Sequence, residues 1–234
     1  LLGARFTGWS RRGKYLLFTL RLARTGAAAT LVGHLGMTGR MYLLPCGKPL
    51  PKHTAVVLEL GVERFVFEDT RYFGRLTLDS SAVAKLGPEP LGGKFTVAGF
   101  REALRHSNQP IKVKLLDQTV VAGVGNIYAS EALFRAGLSP RLPARRLSAG
   151  QVERLWRGIR QALSEAIACG STVPLGLDGT GERDGLFYFG RAAGAQAAYE
   201  ERLRVYDRAG QACSACGTMI KRVVQAARST YYCP

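Results

Sequence analysis

Apolar and polar residues alternate over short distances across residues 14–78. Apolar runs cover residues 15–22, 54–60 and 64–67, and glycine or proline interrupts the sequence between them. Gly61 separates the last two β-rich runs, which is typical of an antiparallel hairpin. Short strands without intervening helices predict a β-sandwich or barrel rather than a parallel α/β sheet.

The pattern becomes helical after residues 86–93, where the string LGPEPLGG would stop any regular element. Four segments beyond this break repeat apolar residues at helical spacing: 97–105, 111–116, 126–136 and 148–168. Ser148 followed by Gln151 forms a capping box at the start of the last helix. We expect one face of that helix to line the core: Val152, Leu155, Trp156, Ile159, Leu163 and Ile167.

The remaining chain reads as a loop followed by a small ribbon. Residues 171–194 are rich in glycine and aspartate and show weak periodicity, which predicts a long loop. Strand-like runs follow at residues 204–206, 220–224 and 230–232. The predicted architecture is therefore a β-domain, a helical domain and a β-ribbon.

Three of the five cysteines lie in this ribbon. Cys213 and Cys216 form a C-x2-C knuckle before Gly217, and Cys233 follows at a spacing typical of zinc ribbons. A C-x2-C pair can also be a redox pair, but no βαβ pattern surrounds this one. We therefore predict one structural zinc ion, held by Cys213, Cys216 and Cys233.

The net charge of the chain indicates what kind of partner it binds. The chain has 234 residues, of which 33 are Lys or Arg and 17 are Asp or Glu, so its net charge is +16. A hydrophobic content of 47% excludes wholesale disorder, and the longest mostly apolar stretch, residues 26–39, is too short to span a bilayer. A cationic protein of this kind favours a polyanionic partner, most often nucleic acid. A basic enzyme or ribosome-associated protein is the alternative on composition alone.

One string identifies the family that the chain resembles. Residues 121–131, VAGVGNIYASE, place a two-glycine turn before a helix, where free N–H groups and the helix dipole attract phosphate. The string closely resembles the helix–two-turn–helix of the formamidopyrimidine-DNA glycosylase family. Five other strings agree in order and spacing: RRGKYLL (11–17), GHLGMTG (33–39), DTRYFG (69–74), LGPEPL (86–91) and RSTYYC (228–233).

The resemblance implies a fold and an activity. The fold would be α+β and multi-domain. Residues 1–92 would form an antiparallel β-sandwich, residues 93–202 a helix–two-turn–helix domain, and residues 203–234 a zinc ribbon. The lesion-recognition loop, residues 171–194, would belong to the second domain. The activity would be base-excision repair, in which an oxidised purine such as 8-oxoguanine or a formamidopyrimidine is flipped out and excised, followed by β,δ-elimination at the abasic site. Alternatives are an endonuclease VIII-like glycosylase for oxidised pyrimidines, a non-catalytic module that binds damaged DNA, and, more remotely, a ribosomal zinc-ribbon protein.

The resemblance also assigns roles to individual residues. Met37, Arg71 and Phe73 match the residues that fill the space left by the flipped base, and Arg71 could pair with the base left without a partner. Residues that match phosphate or nucleotide contacts are Lys14, His53, Asn126 and Arg228. Lys14 would also support catalysis.

The family's nucleophile and proton-transfer group do not match any residue here. An N-terminal proline amine attacks the sugar C1′ in that family, and the glutamate after it moves protons. Leu1 matches a position inside the family's first domain, and the partner of Cys233 would fall two positions past Pro234. We therefore expect the chain as written to be a fragment that lacks lyase chemistry, although a natural truncation would read the same way.

Partners and location follow from the same resemblance. The expected partner is double-stranded DNA that contains oxidised bases or abasic sites, bound by a monomer that does not associate with membranes. The expected location is bacterial, cytoplasmic and nucleoid-associated.

Overall fold

The computed structural model describes residues 1–168 and 203–234 of the chain. These residues form two compact units, one of residues 1–83 and one of residues 84–168 and 203–234. The predicted loop at 171–194 lies outside the described residues. Within the two described ranges, no helix is long and apolar enough to cross a membrane.

The first unit is an antiparallel β-sandwich, as predicted. Its strands are β1 (Arg5–Arg12), β2 (Tyr15–Arg21), β3 (Ala28–His34), β4 (Gly39–Pro45), β5 (Thr54–Glu59), β6 (Glu63–Asp69) and β7 (Arg75–Thr77). One sheet has the order β1-β2-β3-β7 and the other has the order β4-β6-β5. Phe18 and Leu31 of the first sheet share one buried cluster with Met41 and Phe65 of the second, so the two sheets bury their apolar faces against each other.

Two hairpin turns of this unit depend on glycine. The predicted β5–β6 hairpin is present, and Gly61 in its turn has φ of 89°. In the β1–β2 hairpin, Arg12 pairs with Tyr15 across the two-residue turn Gly13-Lys14. Gly13 has φ of 56°, which suits the tight turns that join twisted strands. That turn places Lys14 at the exposed tip of the hairpin.

The second unit is helical. After a single turn, α1 (Ser81–Ala84), its helices are α2 (Val97–Leu104), α3 (Ile111–Leu115), α4 (Asn126–Ala136) and α5 (Ala149–Ala168), with a 3₁₀ turn at Ala144–Arg146. Phe100, Leu115, Leu133 and Ile159 belong to its buried core. All four predicted helices are therefore present, and their ends agree within one residue.

The ends of α4 and α5 form by local chemistry. Gly125 precedes α4 in an extended conformation, and Gly137 ends the helix with φ of 63° in the left-handed region. At the start of α5, the Ser148 backbone N–H donates to Gln151 Oε1 (2.9 Å) and the Gln151 N–H donates to Ser148 Oγ (3.3 Å). The predicted capping box is confirmed.

One residue of the predicted core face of α5 is misplaced. Val152, Ile159, Ala162 and Ala166 are buried, whereas Ile167 is 66% exposed. The buried stripe advances by three or four residues at each step and reaches position 166. Position 167 is rotated by about 100° from it on a 3.6-residue helix, so Ile167 faces away from the core.

The segment after the sandwich packs on the helical unit. Gly87 N–H donates to Gln118 O (2.8 Å), and Pro88 O accepts from Ala122 N–H (3.0 Å). A Cβ at Gly87 would lie 2.3 Å from Thr119 O, so only glycine fits there. Residues 86–93 contain no regular element, as predicted, but hydrogen bonds hold this stretch at both of these residues.

The ribbon is confirmed, except at its beginning. Its strands are β8 (Lys221–Gln225) and β9 (Arg228–Tyr232), and Val205, Ile220 and Tyr231 belong to its small core. The prediction of a strand at residues 204–206 is wrong. The N–H groups of these three consecutive residues all donate to the Glu131 carboxylate. Neighbouring N–H groups of a strand point in opposite directions, so this convergence requires a curled backbone.

Candidate nucleic-acid interface

Met37, Arg71 and Phe73 lie together on the sandwich unit. The guanidinium of Arg71 donates to Met37 Sδ at 3.5 Å, and its Cζ lies 4.8 Å from the centroid of the Phe73 ring. The three side chains come from two loops, one between β3 and β4 and the other between β6 and β7. We refer to these three residues as the wedge cluster.

The wedge cluster is exposed, which excludes a core role for its apolar members. Met37 is 62% exposed and Phe73 is 56% exposed, while Met41 and Phe67 nearby in the chain are 0% and 3% exposed. Exposed apolar groups of this size, grouped with a planar cation, are typical of surfaces that bind a partner. The cluster can therefore insert between bases, because a thioether, a guanidinium and an aromatic ring all stack on them.

His34, which the sequence analysis did not single out, lies beside Lys14. Burial lowers the pKa of His34, and the charges of Lys14 and Arg75 lower it further. Its Nδ1 accepts a hydrogen bond from the Gly36 N–H (3.1 Å), which leaves the proton of the neutral ring on Nε2. The ring is therefore a neutral donor in a basic cluster. Its position in the string GHLGM, three residues before Met37, is the signal that could have indicated it.

His53 lies elsewhere on the same unit. Its backbone oxygen accepts from the Asp69 N–H at 3.0 Å, and its side chain is half-buried before β5. The structure thus places His53 next to the strand end that leads into the loop of Arg71 and Phe73.

Asn126, at the N-terminus of α4, connects the helix to the ribbon. Its side-chain amide donates to Ser229 O (2.9 Å) and Tyr206 Oη (3.4 Å), and its Oδ1 accepts from Lys112 Nζ (2.5 Å). These bonds occupy the side chain. At this helix, a phosphate would therefore be attracted by the backbone N–H groups of the first turn of α4 and not by the Asn126 side chain.

Lys112 is a buried residue that the sequence analysis did not identify. It is 1% exposed, and its ammonium group also lies 3.5 Å from Thr230 Oγ1. Burial and, to a smaller extent, the charge of Arg228 together lower the pKa of Lys112 to about 8. No feature of the sequence separates it from Lys114, which forms an ordinary ion pair with Asp117 (2.9 Å).

Arg228 is exposed at the first position of β9, directly after a strained turn. Ala226 and Ala227 form this turn with φ of 47° and 58°, a region that residues other than glycine rarely adopt. The adjacent side chains of Arg222 and Ser229 are hydrogen-bonded at 3.0 Å. The turn therefore presents the Arg228 guanidinium at the tip of the ribbon, where it can donate to a phosphate.

The three ribbon cysteines converge. The sulfur atoms of Cys213, Cys216 and Cys233 all lie within 4.8 Å of one another. Sulfur ligands at 2.3 Å around a tetrahedral zinc ion are about 3.8 Å apart. Hydrogen bonds with Thr218 lower the pKa of Cys216 to about 7, and the hydrogen bond with Cys216 raises the pKa of Cys233 to about 12. Closely spaced thiols of this kind fit a soft cation, which would hold all three as thiolates.

Glu131 holds the entry to the ribbon. Its carboxylate is 2% exposed, accepts from the N–H groups of residues 204–206 at 2.9–3.1 Å and pairs with Arg135 at 2.9 Å. Because Asn126 and Glu131 lie on the same helix, α4 holds the ribbon both at its entry and at Ser229 of β9.

Comparison with known proteins gives consistent matches along the chain. Residues 1–76 match the formamidopyrimidine-DNA glycosylase N-terminal domain, residues 86–174 match the formamidopyrimidine-DNA glycosylase H2TH domain, and residues 210–234 match the zinc finger found in FPG and IleRS. The formamidopyrimidine-DNA glycosylase of Desulfitobacterium hafniense is 41% identical over 99% of this chain and 81% of its own length.

Solved structures agree with these matches. The MutM (Fpg) protein of Thermus thermophilus is 40% identical, with a TM-score of 0.79 over 99% of this chain and 82% of that one. A complex of Lactococcus lactis Fpg with DNA that contains an abasic site is 33% identical, with a TM-score of 0.80 over 99% and 82% of the two chains. A complex of MutM with DNA that contains carbocyclic 8-oxo-G is 33% identical, with a TM-score of 0.81 over 99% and 81%.

Proposed function

This chain belongs to the formamidopyrimidine-DNA glycosylase family, and from that premise we propose how its residues hold and distort damaged DNA. The family consists of DNA glycosylases and abasic-site lyases of base-excision repair, which excise oxidised purines. In the solved complexes of relatives, the bound DNA contains an abasic site or an 8-oxoguanine analogue. The partner of this chain is accordingly double-stranded DNA with such lesions, and its ribbon is a structural zinc finger.

The exposed wedge cluster carries the proposal. Flipping a base out of the duplex costs a few kcal/mol and leaves a gap in the stack. Met37 and Phe73 are already exposed and need no unfolding to enter that gap, and Arg71 contacts both. The three side chains fill the gap together, and the guanidinium of Arg71 donates to the base left without a partner.

The phosphate contacts come from separate segments. Lys14 at its hairpin tip and His53 contribute from the sandwich unit, and Asn126 and Arg228 contribute from the helical unit. His34 joins this set, because a neutral N–H donor beside Lys14 can bind a phosphate without adding charge. The remaining basic residues of the +16 surplus provide salt-dependent attraction that does not depend on sequence.

Zinc has a structural role in this proposal. Cys213, Cys216 and Cys233 hold it, and it supplies no chemistry to the reaction. The ribbon fold then keeps β9 in place, so that Arg228 is presented after its strained turn.

Two further parts of the proposal concern Lys14 and the location of the protein. Lys14 supports catalysis from its exposed position. We infer that the protein works on the bacterial nucleoid in the cytoplasm.

The test separates DNA distortion from folding. In the full-length protein, Met37→Ala combined with Phe73→Ala should weaken binding to 8-oxoguanine duplex by at least about tenfold, since each lost stacking contact is worth about 1–3 kcal/mol. The thermal midpoint should stay within about 2 °C, because exposed side chains add little to stability. The matched control is Val62→Ala, which truncates an apolar side chain that is 84% exposed in a hairpin turn.

The opposite result would refute the proposal. A large loss of stability with unchanged lesion binding would mean that the cluster stabilises the sandwich unit and does not insert into DNA. Borohydride trapping of the full-length protein on oxidised-guanine DNA tests the chemistry separately, because only an enzyme that forms a Schiff base yields an adduct. Comparing duplexes that carry an oxidised purine with those that carry an oxidised pyrimidine distinguishes the endonuclease VIII-like alternative.

A further inference from the structure

One buried carboxylate joins the two loops that carry the wedge cluster. Asp69 ends β6 and is 1% exposed. Its Oδ1 accepts from the Thr38 hydroxyl (2.5 Å) and the Arg71 N–H (3.2 Å), and its Oδ2 accepts from the Gly74 N–H (2.7 Å). Thr38 follows Met37, whereas residues 71–74 form the other loop. A single side chain therefore contacts both loops that provide the wedge.

The surroundings of the Asp69 side chain favour its charged form. Burial alone would raise the pKa of Asp69, but hydrogen bonds from Thr38 and from the backbone N–H groups of Gly74, Arg71 and Phe73 outweigh it and hold the pKa below its ordinary value. All of these partners are donors. A neutral amide at the same place would turn its own N–H groups toward some of them, and a buried donor without an acceptor is costly.

The two loops also touch through glycine backbones. A Cβ on Gly36 would lie 2.8 Å from Gly74 N, and a Cβ on Gly74 would lie 2.3 Å from the Phe67 ring. Between Arg71 and Phe73, Tyr72 has φ of 54°, which is unfavourable for a bulky residue and needs support from its surroundings. Asp69 accepts from N–H groups on both sides of Tyr72, so it is placed to hold this strained turn.

We propose that Asp69 is the positioning residue of the wedge: it holds the Met37 loop and the Arg71–Phe73 loop in one register, so that the three side chains enter the DNA stack together. Asp69 does not touch the DNA itself. This inference rests on the proposed role of the wedge cluster, and it adds that the two loops act as one unit because of a shared carboxylate.

The experiment measures base opening directly. The full-length protein is mixed with duplex DNA that carries 2-aminopurine next to an 8-oxoguanine, and the rise in fluorescence reports disruption of the stack. Asp69→Asn should reduce the opening amplitude or rate by roughly 10- to 100-fold, the loss expected when reacting groups are displaced by about 1 Å. Binding to undamaged duplex, which depends on phosphate contacts, should change less than about threefold.

Two further variants separate positioning from folding. Thr38→Val removes only the bond from the Met37 loop and should reduce opening by a smaller factor, and Thr38→Ser should restore it. Asp79→Asn is the matched control, because Asp79 is an exposed carboxylate of the same unit that also accepts from a nearby backbone N–H, that of Ser81 at 2.8 Å. It should leave opening unchanged.

DNA that is already unstacked completes the test. On a duplex with an abasic-site analogue, where opening costs little, the Asp69→Asn defect should shrink to less than about threefold. An equal defect on both duplexes, or full opening by both Asp69→Asn and Thr38→Val, would overturn the inference. If Met37→Ala with Phe73→Ala also opens DNA normally, the proposed wedge fails as well. If only the double alanine variant is defective, the wedge stands and the role of Asp69 is refuted.

Discussion

Replacing Glu131 with glutamine should destabilise the helical unit far more than the same change at Glu165. Both carboxylates pair with Arg135, at 2.9 Å and 2.6 Å, but Glu131 is 2% exposed and Glu165 is 49% exposed. Glu131 also accepts from three backbone N–H groups of the ribbon entry. The pair therefore compares a buried, multiply bonded carboxylate with an exposed one on the same arginine.

The expected magnitudes follow from these contacts. In Glu131→Gln the amide oxygen can still accept from the backbone, but its NH₂ group faces the Arg135 guanidinium, which then keeps only its pair with the exposed Glu165. Breaking a buried pair in this way costs about 3–5 kcal/mol in the free energy of unfolding. Glu165→Gln removes an exposed ion pair, which is worth about 0–1 kcal/mol.

Urea unfolding followed by tryptophan fluorescence measures both values. Trp156 reports on the helical unit, because its indole N–H donates to Phe95 O (2.8 Å) within that core. The second tryptophan of the chain, Trp9, lies in the sandwich and is replaced by phenylalanine in all variants. Similar costs for Glu131→Gln and Glu165→Gln, or a cost below about 1 kcal/mol for Glu131→Gln, would refute the reasoning.

Two other predictions concern stability. The folded pKa of Lys112, about 8, lies below its ordinary value of 10.5, so the folded state loses this proton first and the free energy of unfolding should rise with pH above about 8. Relative to Lys112→Met, the rise should be about 2 kcal/mol between pH 7.5 and 9.5, at 1.36 kcal/mol per pH unit. Urea unfolding at each pH measures it, and the same pH dependence of the free energy of unfolding in both proteins would contradict it. Ala227→Gly should raise the free energy of unfolding by about 0.5–1 kcal/mol, because glycine adopts φ of 58° without strain. Thermal melting checks this, with Ala215→Gly outside the turn as control, and a lower midpoint for Ala227→Gly would show that the turn is not strained.

The parts of the fold that could be predicted are those specified by local chemistry. The helix at 126–136 agrees at both ends because glycines flank it, and the capping box of Ser148 and Gln151 starts the next helix. The wrong strand at 204–206 depends on Glu131, which lies more than 70 residues earlier in the chain. Contacts at that separation have no periodicity that a sequence pattern can reveal.

The residues of the site could likewise be predicted only in part. Met37, Arg71 and Phe73 could be named from their strings, and the structure places them in contact. Asp69 lies in one of those strings but looks like an ordinary turn residue until its bond to Thr38 is seen. Lys112 looks like any helix lysine, because only the packed structure buries it. Residues whose importance arises from burial or from a distant partner were therefore missed.

The contact between Gly36 and Gly74 has a consequence for how this surface can change over time. Because a side chain at Gly36 would meet the backbone of Phe73 and Gly74, and one at Gly74 would meet the Phe67 ring and His34 O, neither loop can be lengthened, exchanged or redesigned without altering its surroundings. A new insertion surface, in evolution or in the laboratory, would have to be introduced as a matched pair of loops. Diversity is then expected at the wedge side chains themselves, while the backbones that carry them are inherited together.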